Sequence, residues 1–337
     1  MPAEVLSGLY QLKVPIPDNP LGWVLPYLVR GDDGYTLIDS GWNTPEAFAA
    51  LEDEIHALHL TFADIKRLIV THVHPDHYGL AGRIKEVCGA RVITHQRERD
   101  FIRSRYREPE QLLQRLTAWL LEHGVPNDEV QDLQSAAMPV RGFVVPVEPD
   151  DVVWGGEVLE CGIYRFEVLW TPGHSPGHIC FYDRTQRIIL TGDHVLPTIT
   201  PNVGLHPQQM GNPLGDYLAS LHRLEPLEVD DVLPAHEHSF KGLQARLREI
   251  VHHHHERLGE MLAIIGDERK TGYQVASAVV WTIGRLQDFQ PWMRRAALGE
   301  TLAHLEYLVQ DGRLRQVRED GVTKYERVGT NGALATG

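Results

Sequence analysis

Residues 72–77 read HVHPDH, so three histidines and one aspartate fall within six positions, directly after the apolar run RLIV. His72 and His74 are two residues apart, and on an extended segment both side chains point into the same space. Asp76 and His77 then begin the following helix or its entry turn. Imidazole together with a carboxylate suits Zn²⁺, Mn²⁺ or Fe. The stretch therefore predicts part of a metal site.

Three other polar residues follow strand-like apolar runs in the same way. His174 lies in the Gly/Pro turn of LWTPGHSPGH, Asp193 ends the run IILTGD, and His236 follows DVLPA. In layered α/β proteins, sites assemble at strand ends. A single histidine after a strand is usually structural, so the prediction of a metal site depends on the whole set.

The elements that must position these residues alternate between strands and helices. Residues 44–60 have helical spacing, with Thr44 as the cap and Pro45 at the first helical position. Residues 79–89 predict a second helix, and short apolar runs around both predict strands. From Phe143 the chain returns to strands, beginning with GFVVPVEPDD. This alternation predicts an α/β layered domain.

Two segments depart from this pattern. Residues 96–140 predict a helical insertion with two amphipathic helices, which is either a packed addition to the fold or a lid over the site. The last part of the chain is mostly helical and ends in two short strands around Asp320–Gly321, a tight-hairpin signal. We therefore predict two domains: residues 1–240 carry the site, and residues 241–337 form a smaller winged-helix-like domain.

The four motifs HVHPDH, TPGHSPGH, LTGD and LPAH, taken together and in this order, resemble the metallo-β-lactamase superfamily. The resemblance covers residues 1 to about 240 and implies a four-layer αββα sandwich with two metal ions. It implies the following ligands: His72, His74 and His174 for the first ion, Asp76, His77 and His236 for the second, and Asp193 bridging both. Asp39 in TLIDSG matches a carboxylate that orients ligand histidines; the alternative is a structural turn aspartate.

The resemblance implies hydrolysis by a metal-bridging hydroxide, with zinc expected and manganese or iron open. Two divalent ions lower the pKa of a shared water toward about 7 and polarise the bond under attack. Asp193 would bridge the ions, and Asp76 would orient the nucleophile or accept its proton. TPGHSPGHICFYD resembles glyoxalase II-type thioesterases, which favours a small ester, thioester or lactone.

Three other functions stay open at this point. The first is a phosphodiesterase or endoribonuclease of the same superfamily. The second is a ligand sensor whose C-terminal domain binds DNA. The third is redox chemistry at a di-iron site, although the sequence shows no flavin-binding domain. The C-terminal domain can also help the chain form a homodimer.

The remaining histidines in these motifs are expected to have other roles. His178 is expected to support the site rather than bind metal, and His238 is expected to point elsewhere. His194 is a candidate substrate contact. The run of four histidines at 252–255 is expected to be an exposed helix face.

Net charge, the length of apolar runs and the cysteine content limit the classes of partner that the sequence predicts. The net charge of the 337 residues is −14; residues 241–337 carry 14 basic and 12 acidic residues, which leaves −16 on residues 1–240. Such a field disfavours a nucleic-acid partner, though a local basic patch stays open. No apolar run approaches the ~20 residues of a membrane span. With three dispersed cysteines and no secretory signal, the sequence predicts a cytoplasmic protein that acts on a small molecule.

Overall fold

Two facing β-sheets form the centre of the protein in the computed structural model, which describes residues 2–135, 142–209, 211–282 and 284–328. The strands of the first half are β1 (Ala3–Leu6), β2 (Leu9–Gln11), β3 (Val14–Pro15), β4 (Trp23–Val24), β5 (Tyr27–Arg30), β6 (Tyr35–Ile38), β7 (Ile65–Ile69), β8 (Arg91–His95) and β9 (Asp151–Val153). β3 and β4 pair as a short ribbon, and the other strands form one sheet in the order β1-β2-β5-β6-β7-β8-β9. The pairs from β6 to β9 are parallel, so these strands end at the same edge.

The second sheet has the order β10-β11-β12-β13-β14. Its strands are β10 (Val158–Cys161), β11 (Tyr164–Trp170), β12 (Ile179–Asp183), β13 (Ile188–Gly192) and β14 (Asp231–Pro234). The pairs from β10 to β13 are antiparallel, whereas β13 and β14 run parallel. Parallel strands need a crossover connection, and here the chain between them carries a helix.

The two sheets pack through their inner faces. Ile38 and Ile69 of the first sheet share one buried cluster with Phe166, Phe181 and Leu190 of the second. β12 and β13 of the second sheet are buried at every position, because both of their faces are covered.

Helices cover the outer faces and complete four layers. The helices of the predicted first domain are α1 (Pro45–His56), α2 (Pro75–Tyr78), α3 (Ala81–Cys88), α4 (Gln96–Ile102), α5 (Pro109–Glu122), α6 (Asn127–Ser135) and α7 (Pro213–Leu224). Thr44 caps α1 by accepting a hydrogen bond from the backbone N–H of Ala47, with Pro45 in the first turn, as predicted. The αββα sandwich predicted from the resemblance is confirmed.

The insertion contains more helical structure than predicted. The two expected amphipathic helices are α5 and α6, and they follow α4 and a π-helical turn, Arg103–Arg107. The predicted end at residue 140 lies outside the described residues. Glu129 of α6 accepts a hydrogen bond from the Tyr273 hydroxyl at 2.6 Å and pairs with Arg294 at 2.6 Å. The insertion is thus packed against the C-terminal part of the chain. Its movement as a lid over the site stays a prediction.

Within its described residues, the C-terminal part contains three α-helices and a three-stranded sheet. Its elements are α8 (Leu243–Ile265), β15 (Lys270–Thr271), α9 (Gly272–Ala278), α10 (Pro291–Gln310), β16 (Leu314–Glu319) and β17 (Val322–Arg327). The predicted hairpin is present: Asp320 and Gly321 both have positive φ, 50° and 82°, as a tight two-residue turn requires. The winged-helix description of this region stays a prediction.

One hydrophobic cluster crosses the predicted domain boundary at residue 240. Leu247 and Leu302 of the C-terminal helices belong to the same cluster as Tyr217 of α7, Leu120 of the insertion and Val232 of the second sheet. The boundary at residue 240 stays a prediction. The residues before and after it contribute to one shared hydrophobic core.

Two local predictions are wrong. The segment GFVVPVEPDD is not a strand before Asp151: Val145 donates its backbone N–H to Gly79 and Val147 bonds the Tyr78 hydroxyl, so this segment pairs with the loop beside α2 instead of a sheet. The four histidines are not all exposed either. His254 is 1% exposed, because its ring faces inward against His304.

Among the described residues, no helix is both long and apolar enough to cross a membrane.

Gly79, where α2 ends, provides a test of the packing beside HVHPDH. A Cβ atom there would lie 2.4 Å from the backbone oxygens of Pro75 and Phe143 and 2.6 Å from that of Gly41. Because backbone cannot move aside cheaply, Gly79→Ala should lower the free energy of unfolding by about 3 kcal/mol in urea denaturation. Gly259 lies on the exposed face of α8, and a Cβ atom there would have no neighbour outside its own helix within 4 Å. Gly259→Ala should therefore raise the free energy of unfolding by about 0.5–1 kcal/mol. Equal stability of the two variants would contradict this packing.

Candidate metal centre

The carboxyl ends of five strands converge at one edge of the sandwich, and each delivers polar side chains. Asp39 follows β6, the HVHPDH loop follows β7, His174 follows β11, Asp193 follows β13 and His236 follows β14. These residues are far apart in sequence. β6 and β7 are parallel, β13 and β14 are parallel, and β11 runs in the same direction as β13, so the strand ends meet at one edge.

The first group consists of His72, His74, His174 and Asp193, whose candidate ligand atoms all lie within 4.8 Å of one another. His72 Nε2 lies 2.9 Å from His74 Nδ1 and 3.2 Å from His174 Nε2. Asp193 Oδ2 lies 3.5 Å from His174 Nε2 and 3.9 Å from His72 Nε2. Three imidazole nitrogens and one carboxylate oxygen thus surround one point.

The second group consists of Asp76, His77, Asp193 and His236, also within 4.8 Å. Asp193 Oδ1 lies 3.3 Å from His77 Nε2 and 3.2 Å from His236 Nε2. Asp76 Oδ2 lies 3.3 Å from His236 Nε2 and 3.7 Å from His77 Nε2. Asp193 therefore presents Oδ2 to the first group and Oδ1 to the second.

Unpartnered atoms show that the donor set fits divalent cations. His77 Nε2, His236 Nε2 and Asp193 Oδ1 are buried and make no hydrogen bond. Buried polar atoms in proteins almost always have a partner, because a missing one costs free energy. Imidazole nitrogens and carboxylate oxygens aimed at a common point are the ligands that Zn²⁺ and related ions take.

The other nitrogen of each ring is held by a hydrogen bond. His77 Nδ1 lies 2.7 Å from Asp39 Oδ2, His174 Nδ1 lies 2.7 Å from the Asn202 carbonyl oxygen, and His236 Nδ1 lies 2.9 Å from the Trp23 carbonyl oxygen. Since these oxygens only accept, Nδ1 carries the proton in each ring. When the ring is neutral, the lone pair of Nε2 is directed at the centre.

Asp39 is itself tightly oriented. It is 2% exposed and has φ of 63°, a left-handed conformation that aspartate tolerates better than most residues. Thr71 donates its backbone N–H to Asp39 Oδ1 at 2.8 Å and its hydroxyl to Asp39 Oδ2 at 2.9 Å. The Thr71 hydroxyl oxygen also lies 3.1 Å from His72 Nδ1, so Asp39 reaches one histidine of each group.

Charge is unevenly distributed over the two groups in the metal-free protein. Burial and the neighbouring imidazoles hold the pKa of His72 and His74 well below the usual range. Burial also opposes a charge on His77 and His236, but carboxylates outweigh it, raising the pKa of His236 to about 10 and that of His77 well above its usual value. Protons on these two rings thus balance the carboxylates of the second group, and metal binding would displace them.

Glu98 supports the site, and the sequence analysis missed it. Its carboxylate is fully buried and accepts hydrogen bonds from the backbone N–H of Val73 at 2.8 Å, the backbone N–H of Gly177 at 2.7 Å, and the Ser175 hydroxyl. It ties the loop after β7 to the turn that carries His174. A usable signal existed, because Glu98 lies just after β8, the parallel neighbour of β7.

A second missed contact comes from the C-terminal part. Asn202 Nδ2 donates to Glu300 Oε2 of α10 at 3.0 Å, while the Asn202 carbonyl oxygen accepts from His174. Burial raises the pKa of Glu300 to about 7. Glu300 thus anchors the residue that orients a candidate ligand, over a separation that no local pattern reveals.

The other histidines lie outside both groups. His178 accepts a hydrogen bond from the backbone N–H of Asp193 at 3.2 Å through Nε2, a supporting position as expected. His238 is exposed. His194 is fully buried between the rings of His178 and Tyr217, which leaves it no surface for a substrate.

Comparison with known proteins agrees with this geometry. A family described as the metallo-beta-lactamase superfamily matches residues 24–236, and a metallo-beta-lactamase-like C-terminal domain matches residues 290–328. A crystal structure of a metallo-beta-lactamase family protein from Thermus thermophilus is 36% identical with a TM-score of 0.82, covering 96% of this chain and 100% of that one.

Two curated relatives carry names that describe hydrolases. The probable metallo-hydrolase YqjP of Bacillus subtilis is 27% identical over 301 residues, 88% of this chain and 91% of the relative. The hydroxyacylglutathione hydrolase GloC of Haemophilus influenzae is 29% identical over 130 residues, 39% of this chain and 50% of the relative. These matches establish a hydrolytic enzyme class and a shared fold. The chain belongs to the metallo-beta-lactamase superfamily.

Proposed function

We propose that this metallo-hydrolase cleaves a small ester, thioester or lactone at a dinuclear centre, with zinc as the metal. The observation that carries the proposal is the placement of Asp193, whose two carboxylate oxygens face two separate ligand groups. A carboxylate with one oxygen toward each of two ligand groups can bridge two adjacent metal ions.

In this proposal, each group holds one ion. The ligands are His72, His74 and His174 for the first ion, Asp76, His77 and His236 for the second, and Asp193 for both. When bound, the two ions acidify water and polarise the carbonyl under attack. The histidine-rich donor set supports zinc, and manganese or iron would fit the same residues.

The protein side chains supply orientation and proton transfer. Asp76 is the most exposed carboxylate of the centre, with 14% of its side chain accessible. It can therefore meet a water or substrate on the open side, orient it and accept its proton. Asp39, Asn202 and Trp23 keep the ligand rings in one orientation, so the centre needs little rearrangement during the reaction.

Chemistry and charge support a small substrate. A hydroxyacylglutathione, named in the Haemophilus relative, is a thioester, and the turn containing His174 resembles that of such enzymes. The charge of −16 on residues 1–240 disfavours long polyanions. Cys88, Cys161 and Cys180 are free, which supports the proposed cytoplasmic location. The homodimer expected from the sequence remains a proposal.

Turnover of a substrate panel by the zinc-loaded protein tests the proposal directly. Thioesters, esters and lactones should be hydrolysed faster than β-lactams or phosphodiesters. Preferential cleavage of a phosphodiester would instead establish the alternative function within the superfamily.

Asp193→Ala should remove the bridge between the two groups. We expect the variant to lose bound metal and to lose measurable turnover, because both ions share this residue. Metal content measured by elemental analysis and kcat on the best panel substrate check this. Asp230→Ala, which breaks an exposed ion pair with Arg187, serves as the control and should match the wild type. Two retained ions with full activity in Asp193→Ala would rule out bridging.

Glu300→Ala should weaken metal binding from outside the centre. Without Glu300 the Asn202 side chain loses an acceptor, and the Asn202 backbone carbonyl that orients His174 is held less firmly. Such supporting residues change metal affinity by about 10–100-fold, which chelator competition measures. Glu300→Gln keeps an acceptor oxygen and should retain the affinity. Glu306→Gln on the same helix is the control. Equal affinity in all of these variants would show that Asn202 needs no such anchor.

A further inference from the structure

A cavity of about 280 Å³ lies between the C-terminal helices and the loop that contains Asn202. Its wall combines three charged or polar side chains with three aromatic ones: Glu300, Arg257 and His253, and Trp281, Phe289 and Trp292. This mixture and this size suit a small molecule that has both an apolar body and a polar group.

Asn202 separates the cavity from the first ligand group of the metal centre. Its backbone carbonyl oxygen accepts from His174 Nδ1 at 2.7 Å, and its side-chain Nδ2 donates to Glu300 Oε2 at 3.0 Å. None of the seven candidate ligands lines the cavity. The cavity therefore lies on the Nδ1 side of His174, whereas the candidate metal lies on the Nε2 side.

Glu300 is a carboxylate without a counter-charge. Within the described ranges it accepts a hydrogen bond from Asn202 and lies within ion-pairing distance of no Lys, Arg or His. Burial raises the pKa of Glu300 to about 7, and Arg257 offsets this only in part. His253 supplies no positive charge either, because burial, with a smaller contribution from Arg257, lowers its pKa.

The Arg257 guanidinium is already neutralised by another carboxylate. Its Nη1 lies 2.6 Å from Glu260 Oε2 and donates to the Val280 carbonyl oxygen at 3.2 Å. The guanidinium also packs on Trp281, 5.2 Å from the ring centre. Its Nε is buried and has no hydrogen-bond partner among the described residues. Since buried polar atoms almost always have a partner, this donor indicates that a group is missing from the cavity.

A small organic ammonium compound fits these groups better than a metal ion does. In the part of the chain that the structure describes, two groups of side chains could hold a metal ion, and Glu300 belongs to neither. An ammonium group pairs with a carboxylate, and aromatic rings attract cations and cover apolar groups. A buried carboxylate without a counter-charge is unfavourable, so a bound cation would stabilise it.

We propose that this cavity, the Glu300 cavity, binds a small organic ammonium compound with an aromatic or apolar body, and that the bound compound acts on the metal centre through Asn202. The ammonium group would share the Glu300 carboxylate with Asn202 Nδ2. The Asn202 carbonyl oxygen that orients His174 would then be held less firmly, which would weaken metal binding. The site takes no part in the bond cleavage, so it goes beyond the proposed function.

Calorimetry with the zinc-loaded full chain tests binding without turnover. Tyramine is the probe, because it joins a primary ammonium group to an aromatic ring that carries a hydroxyl acceptor. Tyrosol has the same ring with a hydroxyl in place of the ammonium group. We expect tyramine to bind about tenfold more tightly than tyrosol, which is the effect of one charge-assisted hydrogen bond.

Four variants locate the bound probe. Glu300→Gln keeps an acceptor for Asn202 but removes the negative charge, so it should weaken tyramine by about tenfold and leave tyrosol unchanged. Trp292→Leu removes a ring of the cavity wall from a residue that is 42% exposed, and it should weaken both probes. The matched controls are Glu306→Gln on the same helix and Trp154→Leu, at an exposed tryptophan outside the cavity, and both should bind like the wild type. Zinc content and thermal unfolding show that each variant is folded and loaded.

Chelator competition with and without tyramine tests the link to the metal centre. Saturating tyramine should lower the zinc affinity of the wild type by about fivefold and leave that of Glu300→Gln unchanged. Because such coupling is reciprocal, removal of zinc should tighten tyramine binding by the same factor.

Equal affinity for tyramine and tyrosol, or undiminished tyramine binding by Glu300→Gln, would overturn the cation site. Competition between tyramine and the substrate that persists in Glu300→Gln would place the probe in the substrate cleft instead. An unchanged zinc affinity with tyramine bound would refute the link through Asn202 and leave the binding site. None of these outcomes depends on which ester, thioester or lactone the protein hydrolyses.

Discussion

The buried carboxylate of Asp193 is the constraint on which the rest of the site depends. It lies among four histidine nitrogens at distances of 3.2–3.9 Å, with one oxygen toward each ligand group. Burying a carboxylate and several imidazoles without partners costs more than a marginally stable protein can tolerate. Cations between these groups resolve that cost, so folding and metal binding at this edge are thermodynamically linked.

Asp193 can hold this position only because the sandwich brings distant strand ends together. β7 and β13 belong to different sheets, and their inner faces pack as one apolar cluster. Around the ligands, Asp39, Asn202 and Glu98 use backbone and side-chain hydrogen bonds to hold rings and loops in one arrangement. The candidate ligands therefore occupy fixed positions before any substrate arrives, which is the condition for efficient electrostatic catalysis.

The insertion and the C-terminal part form one structural unit over the same edge. Glu129 joins them through Tyr273 and Arg294, and both share a hydrophobic cluster with the second sheet. Each also contacts a loop of the centre: the Tyr106 hydroxyl of the insertion donates to the Val73 carbonyl oxygen, and Glu300 of α10 accepts from Asn202. The C-terminal part also matches a metallo-beta-lactamase-like C-terminal domain over residues 290–328, so this chain shares it with relatives.

The sequence by itself predicted the fold class and the seven candidate ligands, because four local motifs, each an apolar run followed by a turn and polar side chains, occur in the order that resembles the superfamily. The cap at Thr44 and the hairpin at Asp320–Gly321 are local in the same sense, and both are present. Asn202 carries no such pattern. Its side-chain partner Glu300 lies 98 residues further along the chain, so only packing decides this contact. For the same reason GFVVPVEPDD, although strand-like, pairs with a loop, and His254 is buried by α10. Caps, turns and candidate ligands can be recognised in short stretches of sequence, because neighbouring residues define them. Contacts between distant elements form only when the layers pack.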